Sequence, residues 1–245
     1  MLRAITATRN TSAAGKPAAV LVLALILVAS ALTDVSAHGV SGKDAVFLQS
    51  IKGAAIGPLM YLGAKHMVTG YDHLAFLVGV IFFLYRMKDI VQYVSLFTIG
   101  HSVTLLAGVL GGIRADPYII DAIIGFSVVY KAFDNLDGFK TLFGRSPDTR
   151  LMVLVFGLFH GLGLATKLQA LQLSKRGLAI NLVSFNVGVE IGQLIALSLM
   201  LGLILLWRRS KGFAQQAVIA NALILTAGFV LMQEQLAGYF IHRGA

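Results

Sequence analysis

Polar and ionisable side chains occur inside the longest apolar runs of this chain, where such residues are uncommon. They are His66, Asp72, His73, His101, Asp121, Lys131, Asp134, His160, Asn186, Glu190, Gln193, Gln233 and Glu234. An ionisable group at mid-bilayer costs at least ~2.5–3.5 kcal/mol, so it is retained where it has a function or a partner. Neutral imidazole is the commonest metal ligand in proteins, and carboxylates ligate metals or orient the histidines that do.

A nitrogen and oxygen metal site is one prediction from these residues. Its candidate members lie on several apolar runs: Asp72, His73, His101, His160 and Glu190. Such ligands suit nickel, cobalt, zinc or copper(II) better than calcium or magnesium, which prefer all-oxygen shells. The alternative is that these side chains only join helices through hydrogen bonds.

The spacing of His66 and His73 limits what the pair can do. On a regular helix the two share a face but lie ~10 Å apart along the axis, at ~1.5 Å per residue. They can bind one ion only if Gly70 breaks the helix. Asp72 points ~100° away from its neighbour His73, so it is expected to face a different side of the helix.

Two further spacings predict where polar residues point. A polar stripe at i, i+4 and i+7 must face protein or water, and it consists of Asn186, Glu190 and Gln193. Lys131 opposes metal binding nearby, and we expect it either to pair with Asp134 at i+3 or to extend toward the interface. Asp121 and Glu234 are expected to be interfacial.

The composition points to a membrane as the solvent. Of 245 residues, 57% are hydrophobic and 13% are charged, with a mean hydropathy of +0.82, whereas soluble domains approach a quarter charged. The net charge is +9, but its Lys and Arg residues cluster between apolar runs, so a nucleic-acid partner is not expected. The chain has no cysteine, which excludes thiolate metal sites, disulfides and iron–sulfur clusters.

The amino terminus has the pattern of a secretory signal peptide over residues 1–37. Basic residues precede the apolar run 18–32, and Val35-Ser36-Ala37 supplies the small residues of a cleavage site. An uncleaved first helix is the alternative, although the run is shorter than the ~20 residues that span a bilayer. Cleavage leaves His38 at the mature terminus, either as a metal-capture ligand through its amine and imidazole or as a surface histidine.

The remaining apolar runs predict an all-α, polytopic membrane helix bundle forming one domain, residues 38–245. The six predicted transmembrane spans are 64–85, 90–112, 118–137, 150–173, 178–207 and 216–240. Small residues four apart predict close helix packing, at Gly157, Gly161 and Ala165 and again at Gly188 and Gly192. Signal cleavage places both termini outside. The Lys and Arg residues, eight in the inside loops and eight in the outside segments, do not decide the orientation.

These motifs resemble the HupE/UreJ family of nickel and cobalt permeases, whose members accompany hydrogenase and urease systems. The stretch from His66 to His73 matches the family's H-x5-D-H signature, and Phe159-His160-Gly161 matches the start of its F-H-G signature. Segments 97–105 and 185–193 also resemble family blocks. The better-known branch has Glu four residues after this Gly, whereas this chain has Ala165 there. Glu190 in the fifth span is the candidate substitute.

The predicted function is therefore a permease for Ni²⁺ or Co²⁺ in the bacterial inner membrane. The proposed metal residues are His38, His66, Asp72, His73, His101, His160, Asn186 and Glu190. No catalytic residue and no permanently bound cofactor are expected. The expected partners are lipid, the divalent metal ion, and either a second copy of the chain or an accessory protein. A non-transporting accessory subunit and an intramembrane metal-dependent enzyme are the alternatives; H-E-x-x-H, G-x-S-x-G and Walker A sequences do not occur.

Overall fold

The computed structural model describes residues 42–171 and 174–243, except the side chains of Gly42, Tyr71 and Asp72. The predicted signal peptide and His38 lie outside these ranges. Within them the chain forms nine helices and no strand: α1 (Gly42–Ser50), α2 (Ile56–Thr69), α3 (Tyr71–Ile81), α4 (Met87–Gly111), α5 (Pro117–Asn135), α6 (Gly138–Phe143), α7 (Thr149–Ala170), α8 (Leu178–Trp207) and α9 (Phe213–Arg243).

Four of the described helices are long and apolar enough to cross a membrane: α4, α7, α8 and α9. They coincide within a few residues with four of the six predicted spans, which confirms a multi-pass helical protein. The predicted span 118–137 corresponds to α5, which has 19 residues and includes Asp121, Lys131 and Asp134. The predicted span 64–85 corresponds to two shorter helices, α2 and α3. The short helices α1 and α6 were not predicted.

The residues at the helix ends explain several boundaries. Asp116 caps α5, because its Oδ1 accepts hydrogen bonds from the backbone N–H groups of Tyr118 and Ile119 at 3.0 and 3.3 Å, and Pro117 occupies the first turn. Asp148 caps α7 in the same way through the N–H of Arg150 at 2.8 Å. The left-handed Gly112 ends α4.

Loop contacts define one end of the bundle, which we call the proximal end. Here the loop before α2 meets the start of α8, because the Asn181 amide donates to the Gly53 carbonyl oxygen at 2.9 Å. The loop after α4 meets the end of α7, where Arg114 Nε donates to Gln169 Oε1 at 3.1 Å. The long helices therefore alternate in direction along the chain.

The opposite, distal end gathers the loops after α3, α5 and α8. Arg208, which follows α8, donates to the backbone carbonyl of Leu84 at 2.5 Å and also to that of Phe82. Its guanidinium lies 4.0 Å from the ring centroid of Tyr85. The signal-peptide prediction assigns this end to the cytoplasm.

Glycines allow two helix pairs to approach at backbone distance, as the small-residue spacing predicted. On α7, a Cβ at Gly157 would lie 2.5 Å from the carbonyl oxygen of Phe97, and one at Gly161 would overlap that of His101. On α8, a Cβ at Gly188 would overlap the carbonyl oxygen of Met60. Since lipid supplies no hydrophobic drive between helices, close packing of this kind stabilises the bundle.

The two faces of α8 are inverted relative to a helix of a water-soluble protein. An apolar series is exposed along its length: Ile180, Val183, Val187, Ile191, Ile195, Leu199, Leu203 and Leu206. On the buried face lie Asn186 and Gln193, which are 7% and 0% exposed. A helix with apolar side chains on its outer face and polar side chains on its inner face is stable where lipid is the solvent. The predicted polar stripe therefore faces protein.

Two of the ion pairs among the described residues lie inside the bundle. Lys131 Nζ lies 2.6 Å from Asp134 Oδ2 within α5, which confirms the pairing predicted from their spacing. Asp121, predicted to be interfacial, is 9% exposed and lies 2.9 Å from Lys167 Nζ of α7. The sequence spacing could not indicate this second pair, because its members are 46 residues apart.

Candidate metal-binding site

The break at Gly70 brings the histidines of the H-x5-D-H motif together. Gly70 has an extended conformation, with φ −78° and ψ 97°; its N–H donates to the His66 carbonyl and its carbonyl accepts from the Leu74 N–H. Glycine is among the poorest helix formers, which favours a break here. The imidazole centroids of His66 and His73 lie 5.3 Å apart. The helix is therefore broken at Gly70, which is the condition under which His66 and His73 could bind one ion.

His160 of α7 joins this pair from a third helix. Its ring centroid lies 4.4 Å from that of His73, and the neighbouring Gly161 allows α7 to approach α4 closely. A metal bound at ~2.0–2.1 Å from a ring nitrogen places two ligand rings about 4.5–5.2 Å apart, centroid to centroid, for bond angles between 90° and tetrahedral. The observed separations of 5.3 and 4.4 Å lie just outside the two limits of this range.

Phe97 of α4 is the aromatic centre of the cluster. Its fully buried ring contacts the rings of His73, His101 and His160 at centroid distances of 6.2, 6.3 and 5.0 Å. His73, His101 and His160 are each no more than 2% exposed. We call His66, His73, His101 and His160 the histidine cluster. It lies near the middle of α4 and α7, which corresponds to mid-depth in a bilayer.

Asn186 determines which nitrogen of His101 carries the proton. The Asn186 amide nitrogen donates to the carbonyl oxygen of Leu182 at 3.1 Å, so its Oδ1 faces His101 Nδ1, 3.2 Å away. Since this oxygen only accepts hydrogen bonds, Nδ1 carries the hydrogen and Nε2 carries the lone pair. Nε2 is buried and has no hydrogen-bond partner among the described residues. This pairing is how a metal-binding histidine is oriented.

The rest of the polar stripe of α8 extends along the same interface. Gln193 Oε1 accepts a hydrogen bond from the Thr98 hydroxyl at 3.1 Å, which makes a second polar contact between α4 and α8. Glu190 lies one turn after Asn186 and is half-buried. Phe97 and Thr98 belong to a segment that the sequence singled out, but only the packing assigns them these contacts.

The described structure has no preformed metal site. In residues 42–171 and 174–243, no three His, Asp or Glu side chains are arranged to hold a metal ion. The rings of His73 and His160 meet edge to face, with an interplanar angle of 82°. The side chain of Asp72 and all of His38 lie outside the described parts. The full ligand set stays a prediction.

Ala165, at the position where the better-known branch has glutamate, is packed between α7 and α4. Ala165 is completely buried, and its Cβ would lie 2.5 Å from a Cβ placed on Gly108 of α4. Gly108 therefore lets α4 pack closely against α7 at Ala165. Glu190, the carboxylate that the sequence proposed as a substitute, lies on α8 and is half-buried.

Comparison with known proteins identifies the family. The model of the HupE / UreJ protein family matches residues 42–243, nearly all of the chain described by the structure. No curated protein and no solved structure gives a significant match. Membership suggests a metal-related role, for nickel or cobalt, as a permease or an accessory protein. With its buried histidine cluster in a multi-pass helical bundle, this chain belongs to the HupE/UreJ family.

Proposed function

We propose that this protein is a permease for a divalent transition metal, Ni²⁺ or Co²⁺, in the inner membrane of a bacterium. The observation that carries the proposal is the meeting of His66, His73 and His160, from three helices, at a helix break near mid-depth. Transporters characteristically bind their substrates at this depth, beside discontinuous helices. Imidazole nitrogens favour nickel and cobalt over calcium and magnesium.

The ion is the substrate here, and the residues of the chain perform two tasks. The rings of His66, His73 and His160 replace water around the ion through small rotations about their side-chain bonds. Asn186 keeps the Nε2 lone pair of His101 available. A membrane potential of 100 mV contributes ~2.3 kcal/mol per charge, or about 4.6 kcal/mol for a divalent ion, which is sufficient to drive inward movement.

The first test is the metal content of cells that express the protein. Cells with the wild-type chain, His73→Ala or His242→Ala are matched for membrane abundance, and their nickel and cobalt are measured by mass spectrometry. His242 is the control because it lies in the last turn of α9 at the surface. We expect accumulation with wild type and His242→Ala, and loss of accumulation with His73→Ala. Equal metal content in all three strains would contradict the proposal.

A second test separates a permease from an accessory protein. The purified chain is reconstituted into liposomes that contain a metal-sensitive dye, and Ni²⁺ or Co²⁺ is added outside with a potential, negative inside, set by a potassium gradient. A permease changes the dye signal without any other protein. No flux in liposomes, together with stable co-purification of one partner from cells, would favour the accessory role.

A further inference from the structure

The distal end of the bundle contains a cavity of about 230 Å³ with a partly polar lining, separate from the histidine cluster. Its polar lining consists of Lys131, Asp134, Asn135, Asp137 and Ser146, and its apolar lining includes Phe83, Phe213, Ala214, Ala217 and Val218. The cavity opens among the loops that follow α3, α5 and α8. We call it the distal cavity.

The charge and the atoms of the distal cavity suit a cation. One ammonium group and two carboxylates line it, so the lining has a net negative charge. The carboxylate of Asp134 is only 12% exposed and lies 2.6 Å from Lys131 Nζ. The lining offers oxygen ligands for a divalent ion, and water can complete the coordination shell. These oxygens are the carboxylates of Asp134 and Asp137, the amide oxygen of Asn135 and the hydroxyl of Ser146.

Helix α3 connects the distal cavity to the histidine cluster. Asn135 Nδ2 donates to the backbone carbonyl of Gly79 at 2.8 Å, and Gly79 follows His73 by six residues, about 9 Å along a helix. The aliphatic stem of Lys131 packs on Gly79, where an added Cβ would lie 3.2 Å from Lys131 Cγ. The ring of Phe76, 1% exposed, lies on α3 between the two polar regions.

We infer that the distal cavity is the release station of the transport path, where Asp134 receives the divalent cation after it leaves the histidine cluster. This inference rests on the proposed function. Without the ion, the Lys131 ammonium neutralises Asp134, because an unpaired carboxylate at this depth is costly. The arriving ion takes the place of the ammonium. Oxygen ligands hold nickel and cobalt more weakly than imidazoles do, which allows the ion to leave.

A cysteine-labelling experiment tests the inference, because the chain has no natural cysteine. Ala217 and Ala220 are buried one turn apart on α9, but only Ala217 lines the distal cavity. The variants Ala217→Cys and Ala220→Cys are treated with a small membrane-impermeant thiol reagent. The reagent is applied to intact cells or to inverted vesicles, with and without Co²⁺.

We expect Ala217→Cys to react in inverted vesicles but not in intact cells, and Ala220→Cys to react in neither. With Co²⁺ at about ten times its Kd, mass action leaves roughly a tenth of the cavities free, so the reaction should slow about tenfold. Protection should disappear when Asp134→Asn is added, which excludes ion capture by the new thiol. No labelling, labelling from outside only, or labelling without Asp134-dependent protection would each overturn the inference.

Transport measurements keep this inference separate from the proposed function. In liposomes, Asp134→Asn should lower Co²⁺ flux while titration calorimetry gives an unchanged affinity at the histidine cluster. If the Asp134→Asn protein does not reach normal abundance in the membrane, the double variant Lys131→Gln with Asp134→Asn is used instead, because it removes both charges of the pair. Normal flux in a variant without Asp134 would overturn the release station alone. Absence of flux in the wild type would overturn the permease.

Discussion

The imidazole rings of His66 and His73 lie 5.3 Å apart, although seven residues of continuous helix would separate them by ~10 Å. The break at Gly70 between α2 and α3 produces this proximity. It also leaves backbone amide and carbonyl groups at the helix ends near mid-depth, where transporters place their substrates. The backbone break and the histidine pair therefore form one structural unit, and we propose that this unit binds the metal ion.

Replacing Gly70 with alanine should separate the two histidines. Alanine favours the helix by about 1 kcal/mol over glycine, so Gly70→Ala shifts the segment toward one continuous helix. We expect metal accumulation to fall several-fold at normal protein abundance. Gly57→Ala is the control, because Gly57 also lies in α2 and an added Cβ contacts nothing within 4 Å. If Gly70→Ala accumulates metal as wild type does, the break is not needed for function.

Asn186 should act on metal affinity through His101. Asn186→Leu removes the oxygen that holds the Nδ1 hydrogen of His101, and the loss of such an orienting partner typically weakens metal binding about 10–100-fold. Asn186→Asp retains an acceptor at the same place and should restore most of the affinity. Titration calorimetry with Co²⁺ on purified protein compares the three. Equal affinity in Asn186→Leu and wild type would remove His101 from the metal path.

Close packing of α2 on α8 should be sensitive to one methyl group. A Cβ at Gly188 overlaps the carbonyl oxygen of Met60, so Gly188→Ala must push the helices apart, at a cost of about 1–3 kcal/mol. Gly202→Ala, on the same helix in open space, should leave stability unchanged or raise it slightly. Thermal unfolding in detergent, followed by size-exclusion chromatography, measures both. Similar unfolding temperatures for the two variants would show that the approach is not tight.

The Asp121–Lys167 pair should couple α5 to α7 energetically. Asp121→Asn removes the carboxylate that pairs with the ammonium group of Lys167. The Lys167 side chain is only 21% exposed, so its charge is then left unpaired and partly buried. We expect each single variant, Asp121→Asn or Lys167→Met, to lower the free energy of unfolding by roughly 1–3 kcal/mol. The double variant should lose less than the sum of the two, as a double-mutant cycle would reveal. Strict additivity would mean that the pair does not contribute.

Much of the architecture follows from the sequence because the bilayer imposes a simple rule on it. A spanning segment must satisfy its own backbone hydrogen bonds and present apolar side chains over a set length. For this reason the predicted span 178–207 coincides with α8, and the spans containing α4, α7 and α9 differ from the helices by few residues. The same rule made the buried polar residues conspicuous. The pairing of Lys131 with Asp134 followed from local helix geometry.

The relations between helices were decided by the tertiary structure. Whether Gly70 breaks its helix depends on tertiary packing as well as on helix propensity. The sequence therefore predicted only that His66 and His73 could bind one ion if the helix broke at Gly70. The contact of His73 with His160, the Asp121–Lys167 pair and the distal cavity join residues far apart in the chain. No spacing rule specifies which faces of two helices meet. That choice is made by the close packing of side chains such as Phe97 against glycine-lined backbones, and it depends on all the helices at once.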